Sequence, residues 1–193
     1  MKKLISITLV LLTLAFALAC SQQKANTPDA KPAVEDALKA AGYNNINVDQ
    51  DRDKAVITLK GDVPTDEDKA KVAQIAQSAA NGMVVSNEVG VRPQGNEGQA
   101  KKVDKATDDA IEDHMKAAIA AHKWENQHIS YDATNGALTL KGDVDTARQR
   151  QQINDVAKNI PGVQQVVNEL QVKGDKQSAA KHNRKNAAAN DNP

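Results

Sequence analysis

The sequence predicts an α+β fold of two tandem αββαβ modules, each a three-stranded mixed sheet with two helices on one face. The first observation is a repeat: the phrase Leu59–Val63 recurs as Leu140–Val144, 81 positions later. The second is that each copy closes a run in which apolar and polar residues alternate, as in a half-buried strand. The third is that apolar residues with helical spacing flank both runs, so the repeated unit contains helices as well as strands.

Module one covers residues 33–91. Pro32 suits the first turn of its opening helix, and Gly42 suits the position just past the end of that helix. Two short alternating segments then form a hairpin. Thr65 is the expected N-cap of the second helix, because Asp68 follows three residues later as in a capping box. A strand rich in valine completes the unit.

Module two covers residues 107–172 and repeats the same elements. His122 lies on the apolar face of its first helix, which predicts a position in the core or at its boundary. Asn135-Gly136 predicts the hairpin turn, because both residue types tolerate positive φ. Asp145 is the expected N-cap of the second helix.

The element order also predicts the topology of each sheet. A hairpin makes the first two strands antiparallel, and the second helix is a crossover that makes the third strand parallel to its neighbour. Both helices then lie on one face, and the other face stays open. That face carries Thr58 and Lys60 in module one and Thr139 and Lys141 in module two, so we expect it to meet water or a partner module.

Composition excludes several classes of protein. The 193 residues carry 25 basic and 25 acidic side chains, and neither module has the basic excess that a nucleic-acid binder requires. Cys20 is the single cysteine, so no internal disulfide can form. Aromatic residues make up only 2 % of the chain, which means that aliphatic side chains must build both cores.

The N-terminus predicts export and lipid anchoring. Residues 1–19 combine two lysines with an apolar stretch too short to span a membrane, as in a cleaved signal peptide. The ending Ala17–Cys20 resembles the lipobox of bacterial lipoproteins, which implies an acylated Cys20. Ser21, by resemblance to the lipoprotein sorting rule, points to the outer membrane. The alternative is an ordinary signal peptide cut nearby, which would leave a free thiol.

Three segments outside the modules are predicted to lack fixed structure. Residues 20–32 form a polar tether with two prolines, and residues 92–106 form the linker between the modules. Residues 173–193 form a basic tail with no apolar periodicity, which predicts disorder.

No pattern in the sequence predicts catalysis, a metal ion or a cofactor. His114 and His122 lie eight positions apart on one predicted helix, too far apart for a zinc site. The acidic run 49–53 lacks the glycine and the distal glutamate of a calcium loop. Gly61 and Gly142 are single glycines that suit a tight backbone corner rather than a phosphate-binding loop.

Two interpretations remain open for Trp124, whose equivalent in module one is Tyr43. An aromatic residue in both copies suits a plug that covers the core at the end of a helix. Alternatively, Lys116, Lys123 and Trp124 present two cations and an aromatic ring to anionic phospholipid headgroups. Against this, four acids crowd the same helix, where we expect them to complement the helix dipole: Asp108, Asp109, Glu112 and Asp113.

The whole pattern resembles the BON domain family. The resemblance rests on Leu-x-Gly-x-Val at 59–63 and 140–144, on the amphipathic helix that follows, and on Asn87-Glu88-Val89 against Asn168-Glu169-Leu170. Residues 79–83 depart from the usual Pro-Gly-Val ending of that helix. The arrangement resembles dual-BON envelope lipoproteins, and the modules resemble osmotically induced periplasmic members.

The resemblance implies an αββαβ fold, binding to phospholipid surfaces, a role in envelope integrity under stress, and no catalysis. The expected partner is therefore a membrane, reached through Cys20 and anionic headgroups. The alternative is an adaptor that holds an envelope protein on its open sheet faces or in a groove between the modules.

Overall fold

A computed structural model describes residues 27–174 of the chain. The predicted signal peptide, Cys20, the first part of the tether and the tail beyond Gly174 lie outside the described residues. Across the described range, no helix combines the length and the apolar character that a membrane span requires.

Module one has the predicted order of helices and strands. Pro32 lies in the first turn of its first helix, and Thr65 caps the second helix by accepting a 3.0 Å hydrogen bond from the Asp68 amide. The predicted starts of both helices are therefore confirmed. The elements are α1 (Lys31–Ala40), β1 (Asn47–Asp51), β2 (Val56–Val63), α2 (Asp66–Ala79) and β3 (Val84–Val91).

Module two repeats this order, with α3 (Glu97–Ala121), β4 (His128–Thr134), β5 (Ala137–Val144), α4 (Ala147–Lys158) and β6 (Gln165–Val172). Helix α3 is 25 residues long, because residues 97–106, which the sequence predicts as linker, continue the helix towards its N-terminus.

The N-cap predicted for α4 is wrong by one residue. Thr146 is the cap and forms a full capping box with Gln149. Asp145 instead accepts hydrogen bonds from Gln127 and from Lys173, the latter at 2.7 Å. A threonine cap whose partner three positions later is Gln satisfies two amide groups at once, which Asp145 cannot do from its position.

The predicted sheet topology is confirmed in both modules. Strand β2 pairs antiparallel with β1 and parallel with β3, and β5 pairs in the same way with β4 and β6. Each sheet packs its helices on one face. Aliphatic side chains from both layers, such as Leu38, Leu59 and Val72 in module one and Ile111, Leu140 and Ile153 in module two, form two separate cores.

The end of the predicted tether packs on module one instead of hanging free. Ala30 is fully buried in the first core, and its amide donates a 3.0 Å hydrogen bond to the Gln50 side chain. The Gln50 amide group also donates to the Pro28 carbonyl. Residues 28–31 therefore belong to the folded module.

The sheet faces opposite the helices meet a partner module and not water, which is one of the two outcomes that the sequence predicts for them. Ser86 and Thr139 are only 1 % and 6 % exposed, and Val167 is equally buried, although all three point away from the helices of their own module. Strand β3 lies against β5 and β6, so the two sheets cover each other. The adaptor alternative therefore loses these faces, although Lys60 and Lys141 at the margin stay exposed.

The repeated glycine marks the point where the first and second strands come too close for a side chain. Gly61 and Gly142 have φ values of +138° and +121°. A Cβ on Gly61 would lie 2.5 Å from the Asn45 carbonyl oxygen, and one on Gly142 would overlap the His128 carbonyl. Since backbone atoms cannot move aside cheaply, both copies require glycine here.

We therefore expect Gly61→Ala and Gly142→Ala each to lower the free energy of unfolding by about 2 kcal/mol or more, through positive φ and steric overlap together. Urea denaturation followed by circular dichroism measures this loss. Gly98→Ala is the control, because Gly98 lies in α3 with open space around it. A loss in Gly98→Ala equal to that in Gly61→Ala would contradict the argument.

Candidate functional site

The end of α3 carries the three residues that the sequence singles out for lipid binding. Trp124 is only 7 % exposed and belongs to the core of module two, whereas Lys116 and Lys123 are exposed. This burial favours the plug interpretation of Trp124, and the two lysines are the exposed cations of the three residues.

A shared backbone motif explains why both modules place an aromatic residue here. The amides of Tyr43 and Trp124 each donate a 2.9 Å hydrogen bond to the carbonyl five residues earlier, in Leu38 and Ile119. This bond is part of a Schellman motif, which ends a helix with one residue in the left-handed region and an apolar residue after it. The aromatic side chain then folds back over the core.

The left-handed position differs between the modules, and the difference concerns a candidate site residue. In module one it is Gly42, with φ of +91°, and in module two it is Lys123, with φ of +57°. A residue with a side chain costs roughly 1–2 kcal/mol in this conformation, and glycine avoids that cost. Module two therefore keeps an exposed cation at a position where glycine would favour the fold.

His122 does not lie in the core, so that prediction is wrong. It is the C-cap of α3, is exposed, and stacks on Trp124 with 4.4 Å between ring centroids. The helical pattern misplaces it because α3 ends at Ala121, and the chain turns before His122 can follow the apolar face.

Three of the four acids singled out on α3 have structural partners, which corrects their interpretation as helix-dipole residues. Since α3 begins at Glu97, they lie in the middle of the helix, where the dipole has little effect. The Asp108 carboxylate accepts from the amides of Asn135 and Gly136 at 2.8 and 2.9 Å. Glu112 accepts from the Ala133 amide, and Asp109 pairs with Lys105.

The β4–β5 turn also joins the modules by hydrogen bonds, and we call Asn135–Gly136 the docking turn. The Asn135 side-chain amide donates a 2.7 Å hydrogen bond to the Glu88 carbonyl, and its oxygen accepts one from Arg92 at 3.2 Å. The Asn135 backbone carbonyl accepts from the Lys69 ammonium at 2.7 Å. One turn of module two thus contacts Lys69 and Glu88 of module one and Arg92 directly after it.

Charged groups surround the docking turn. Arg92, whose side chain is 11 % exposed, pairs with Asp104 of α3 and with Asp62 at the end of β2. Burial lowers the pKa of the neighbouring Lys69, although the carboxylates of Asp104, Asp66 and Asp108 act in the opposite direction. Carboxylates and cations of both modules therefore compensate one another at this end of the interface.

The far end of the interface has its own polar contacts. The Lys54 ammonium lies 2.6 Å from the Glu169 carboxylate, and this hydrogen bond raises the pKa of Lys54. Between the two ends, burial raises the pKa of Glu88, and the nearby Asp132 carboxylate acts in the same direction. The ammonium groups of Lys60 and Lys141 and the Ser86 hydroxyl act in the opposite direction on the pKa of Glu88.

A side chain of module two covers the outer edge of β3. The Gln165 oxygen accepts from the Asn87 amide at 2.9 Å, and the Gln165 nitrogen donates to the Val85 carbonyl at 2.5 Å. Beside this contact lies a groove of about 440 Å³, which we call the intermodule groove. Its lining comes from α2, β3 and the starts of β5 and β6: Asp66, Lys69, Ala70, Ala73, Gln77, Val85, Asn87, Ala137, Gln164 and Gln165.

Within residues 27–174, no group of three or more His, Cys, Asp or Glu side chains could hold a metal ion. His114, the first histidine considered for such a site, contacts the Ala110 carbonyl one turn earlier at 2.6 Å.

Sequence reasoning missed the residues that join the modules. Asn135 is visible in the sequence as a turn residue, but nothing in the turn pattern indicates that its side chain reaches another module. Gln165 gives no signal at all, because a glutamine at the start of a strand is common. An acid in the middle of a helix, such as Asp108, could have suggested a partner outside the helix.

Comparison with known proteins supplies a family. The family model for the BON domain matches residues 27–93 and again residues 107–174. The chain is also similar to the osmotically-inducible protein Y of Escherichia coli (strain K12). The two are 29 % identical over 147 residues, which cover 73 % of this chain and 72 % of that protein.

The docking turn yields a test of the interface. Asn135→Gly keeps a residue that accepts positive φ but removes both side-chain contacts with module one, so we expect the unfolding free energy to fall by about 1–3 kcal/mol. Urea denaturation with Trp124 fluorescence as the probe measures the change. Asn81→Gly is the matched control, since Asn81 has φ of +51° and is exposed. Equal effects of the two changes would mean that Asn135 does not join the modules.

Proposed function

This chain belongs to the BON domain family, and we propose that it is a non-catalytic protein of the bacterial envelope whose modules bind phospholipid surfaces and support the envelope under osmotic stress. The observation that carries the proposal is Lys123, an exposed cation kept in the left-handed conformation where module one has glycine. A residue held in a costly backbone conformation is a reason to look for a function.

The surroundings of Lys123 favour an anionic surface as its partner. Lys116 lies two turns earlier on α3 and is also exposed. Three of the four acids that would repel such a surface are engaged: Asp108 by the docking turn, Glu112 by the Ala133 amide and Asp109 by Lys105. The Lys105 ammonium offsets the charge of Asp109, and the backbone amides hold the carboxylates of Asp108 and Glu112 against β4 and the docking turn.

The packing of the sheets supports the same choice of surface. Because the two sheets cover each other, the faces that remain for a large partner are the outer faces and the ends of the helices. A flat membrane can meet the end of α3 without separating the modules. Contact through two lysines is worth about 1 kcal/mol each near an anionic surface, which makes binding reversible.

The osmotic part of the proposal rests on similarity. The relative from Escherichia coli is named for its induction by osmotic conditions. We extend a role under osmotic stress to this chain because the match spans both modules and most of each protein.

The location rests on the N-terminal sequence. A signal-like segment that ends at Ala17–Cys20 supports export and acylation of Cys20, and Ser21 supports the outer membrane over the inner one. A lipoprotein cysteine carries more than one acyl chain, and two chains anchor a protein far more stably than one. The anchor would hold the modules at the periplasmic surface, and α3 would add a second, reversible contact.

A double variant tests the lipid contact. In the fragment from Ser21 onwards, we expect Lys116→Gln with Lys123→Gly to weaken binding to anionic phospholipid vesicles by about 2 kcal/mol, or on the order of thirtyfold. Cosedimentation with vesicles measures the affinity. Lys123→Gly also relieves backbone strain, so the variant should fold at least as well as the original chain.

The matched control removes two lysines from module one, as Lys39→Gln with Lys71→Gln, both of them exposed. We expect it to change binding several times less. Equal losses in the two double variants would show that only net charge matters, and unchanged binding in the α3 variant would refute the site.

The anchor has a separate test. We expect Cys20→Ser to move the chain from the membrane fraction to the soluble periplasmic fraction, because the acyl chains can no longer be attached. Ser21→Ala is the control, since it leaves the cysteine in place. Fractionation with immunodetection measures both, and a Cys20→Ser chain that stays in the membrane fraction as fully as Ser21→Ala would contradict acylation at Cys20.

A further inference from the structure

The outer edge of β3 is covered by a side chain instead of a strand. Strand β3 pairs with β2 on one side, so the odd-numbered residues of β3 turn their backbone groups towards the other side. There the Gln165 amide accepts from the Asn87 N–H at 2.9 Å and donates to the Val85 carbonyl at 2.5 Å. A primary amide thus satisfies one donor and one acceptor of the edge.

This pair of bonds has the chemistry of a peptide group. A neighbouring strand presents alternating carbonyl oxygens and N–H groups to the edge of a sheet. The Gln165 amide presents one of each at the same spacing. Exposed sheet edges attract further strands, and proteins cover them to prevent this. At Val85 and Asn87 the cover on β3 is the Gln165 side chain, and at Val89 it is the Asn87 side-chain oxygen, which accepts from the Val89 N–H at 3.3 Å. Both are side chains, so they can rotate away without unfolding either module.

The intermodule groove provides space along this edge. Its volume of about 440 Å³ lies within the range of ligand pockets, about 300–1,000 Å³, and it lies between domains, where such pockets concentrate. The α2 wall carries the small side chains Ala70 and Ala73, which leave room for a chain beside β3. The same two alanines, which are not buried, supply apolar surface for side chains of the segment.

We propose that the intermodule groove binds an extended polypeptide segment, which adds to the edge of β3 as a strand and displaces the Gln165 amide. Backbone hydrogen bonds supply the affinity in this mode of recognition, and pockets for alternate side chains supply the selectivity. The segment would replace both bonds of Gln165, and to continue towards Val89 it would also displace the Asn87 side-chain oxygen from the Val89 N–H.

The lining favours a peptide over a small charged ligand. The described residues contain no buried side-chain nitrogen or oxygen without a hydrogen-bond partner, so no such group is left to bind a small polar ligand. The Lys69 ammonium is already bonded to the Asn135 carbonyl, and the carboxylates near it oppose the binding of an anion. What the groove offers is a backbone edge, apolar surface and amide side chains.

This site is independent of the lipid contact. It uses β3, α2 and the start of β6, whereas the proposed lipid contact uses Lys116 and Lys123 on α3. Loss of one activity therefore leaves the other in place.

The test uses the full chain in non-ionic detergent and a fluorescent eight-residue peptide of alternating Thr and Val. We expect Gln165→Ala to bind this peptide about tenfold more tightly than the original chain, because its edge is no longer occupied. We expect Ala73→Arg, which places a long side chain in the groove, to bind it at least fivefold more weakly. Fluorescence anisotropy measures each affinity.

Two controls separate strand addition from loosening of the interface or from apolar adhesion. Glu169→Gln breaks the ion pair with Lys54 but does not touch the β3 edge, so peptide affinity should stay within twofold. A peptide N-methylated at two consecutive central residues lacks a donor on each of its edges, so its affinity should fall at least tenfold.

Equal binding of the two peptides would overturn the proposal, and so would unchanged binding in Ala73→Arg. If Gln165→Ala folds and binds no more tightly than the original chain, the displacement of Gln165 is refuted. If Gln165→Ala does not fold, the peptide affinity of Ala73→Arg and the affinity of the methylated peptide still test the proposal, because both measurements keep Gln165 in place.

Discussion

The mutual covering of the two sheet faces is the constraint on which the rest of the molecule depends. A three-stranded sheet with helices on one face leaves the other face exposed, and each module alone would present Ser86 or Thr139 and Val167 to water. Packing the faces together removes this surface from both modules at once. Because the faces are partly polar, the contact needs directional bonds, and the docking turn at Asn135 supplies them.

The same constraint decides where each surface of the molecule can act. With the faces covered, the early part of α3 passes along module one, and its carboxylates at Asp104 and Asp108 bind Arg92 and the docking turn. The end of α3 then carries Lys116 and Lys123 away from most of the acids of the helix. At the other side of the contact, Gln165 reaches the β3 edge and forms the intermodule groove. The proposed lipid contact and the proposed strand addition thus both depend on how the modules dock.

Much of each module could be predicted because its signals are local. The repeated glycine is required by the close approach of two neighbouring strands. Thr65 caps α2 by accepting from the Asp68 amide three residues later, and the alternation in Val56–Val63 indicates one buried face. The mistaken predictions have local causes as well. Thr146 and Asp145 are both acceptable caps, and only the geometry of the turn selects between them. Polar residues 97–106 look like a linker, because a helix held by a neighbouring module needs little apolar periodicity of its own.

The sequence by itself determined the repeat, the order of helices and strands, the topology of each sheet and the membership of the BON domain family. The spacing of the hydrophobic residues and the steric limits of the backbone determine these properties, and both act within a few residues or between adjacent strands. Only the tertiary structure decided that the sheets face each other, that Trp124 is buried and that Asn135 and Gln165 join the modules. The physical reason is that contacts between residues 43 to 115 positions apart depend on the shapes of two folded surfaces, which no local pattern encodes.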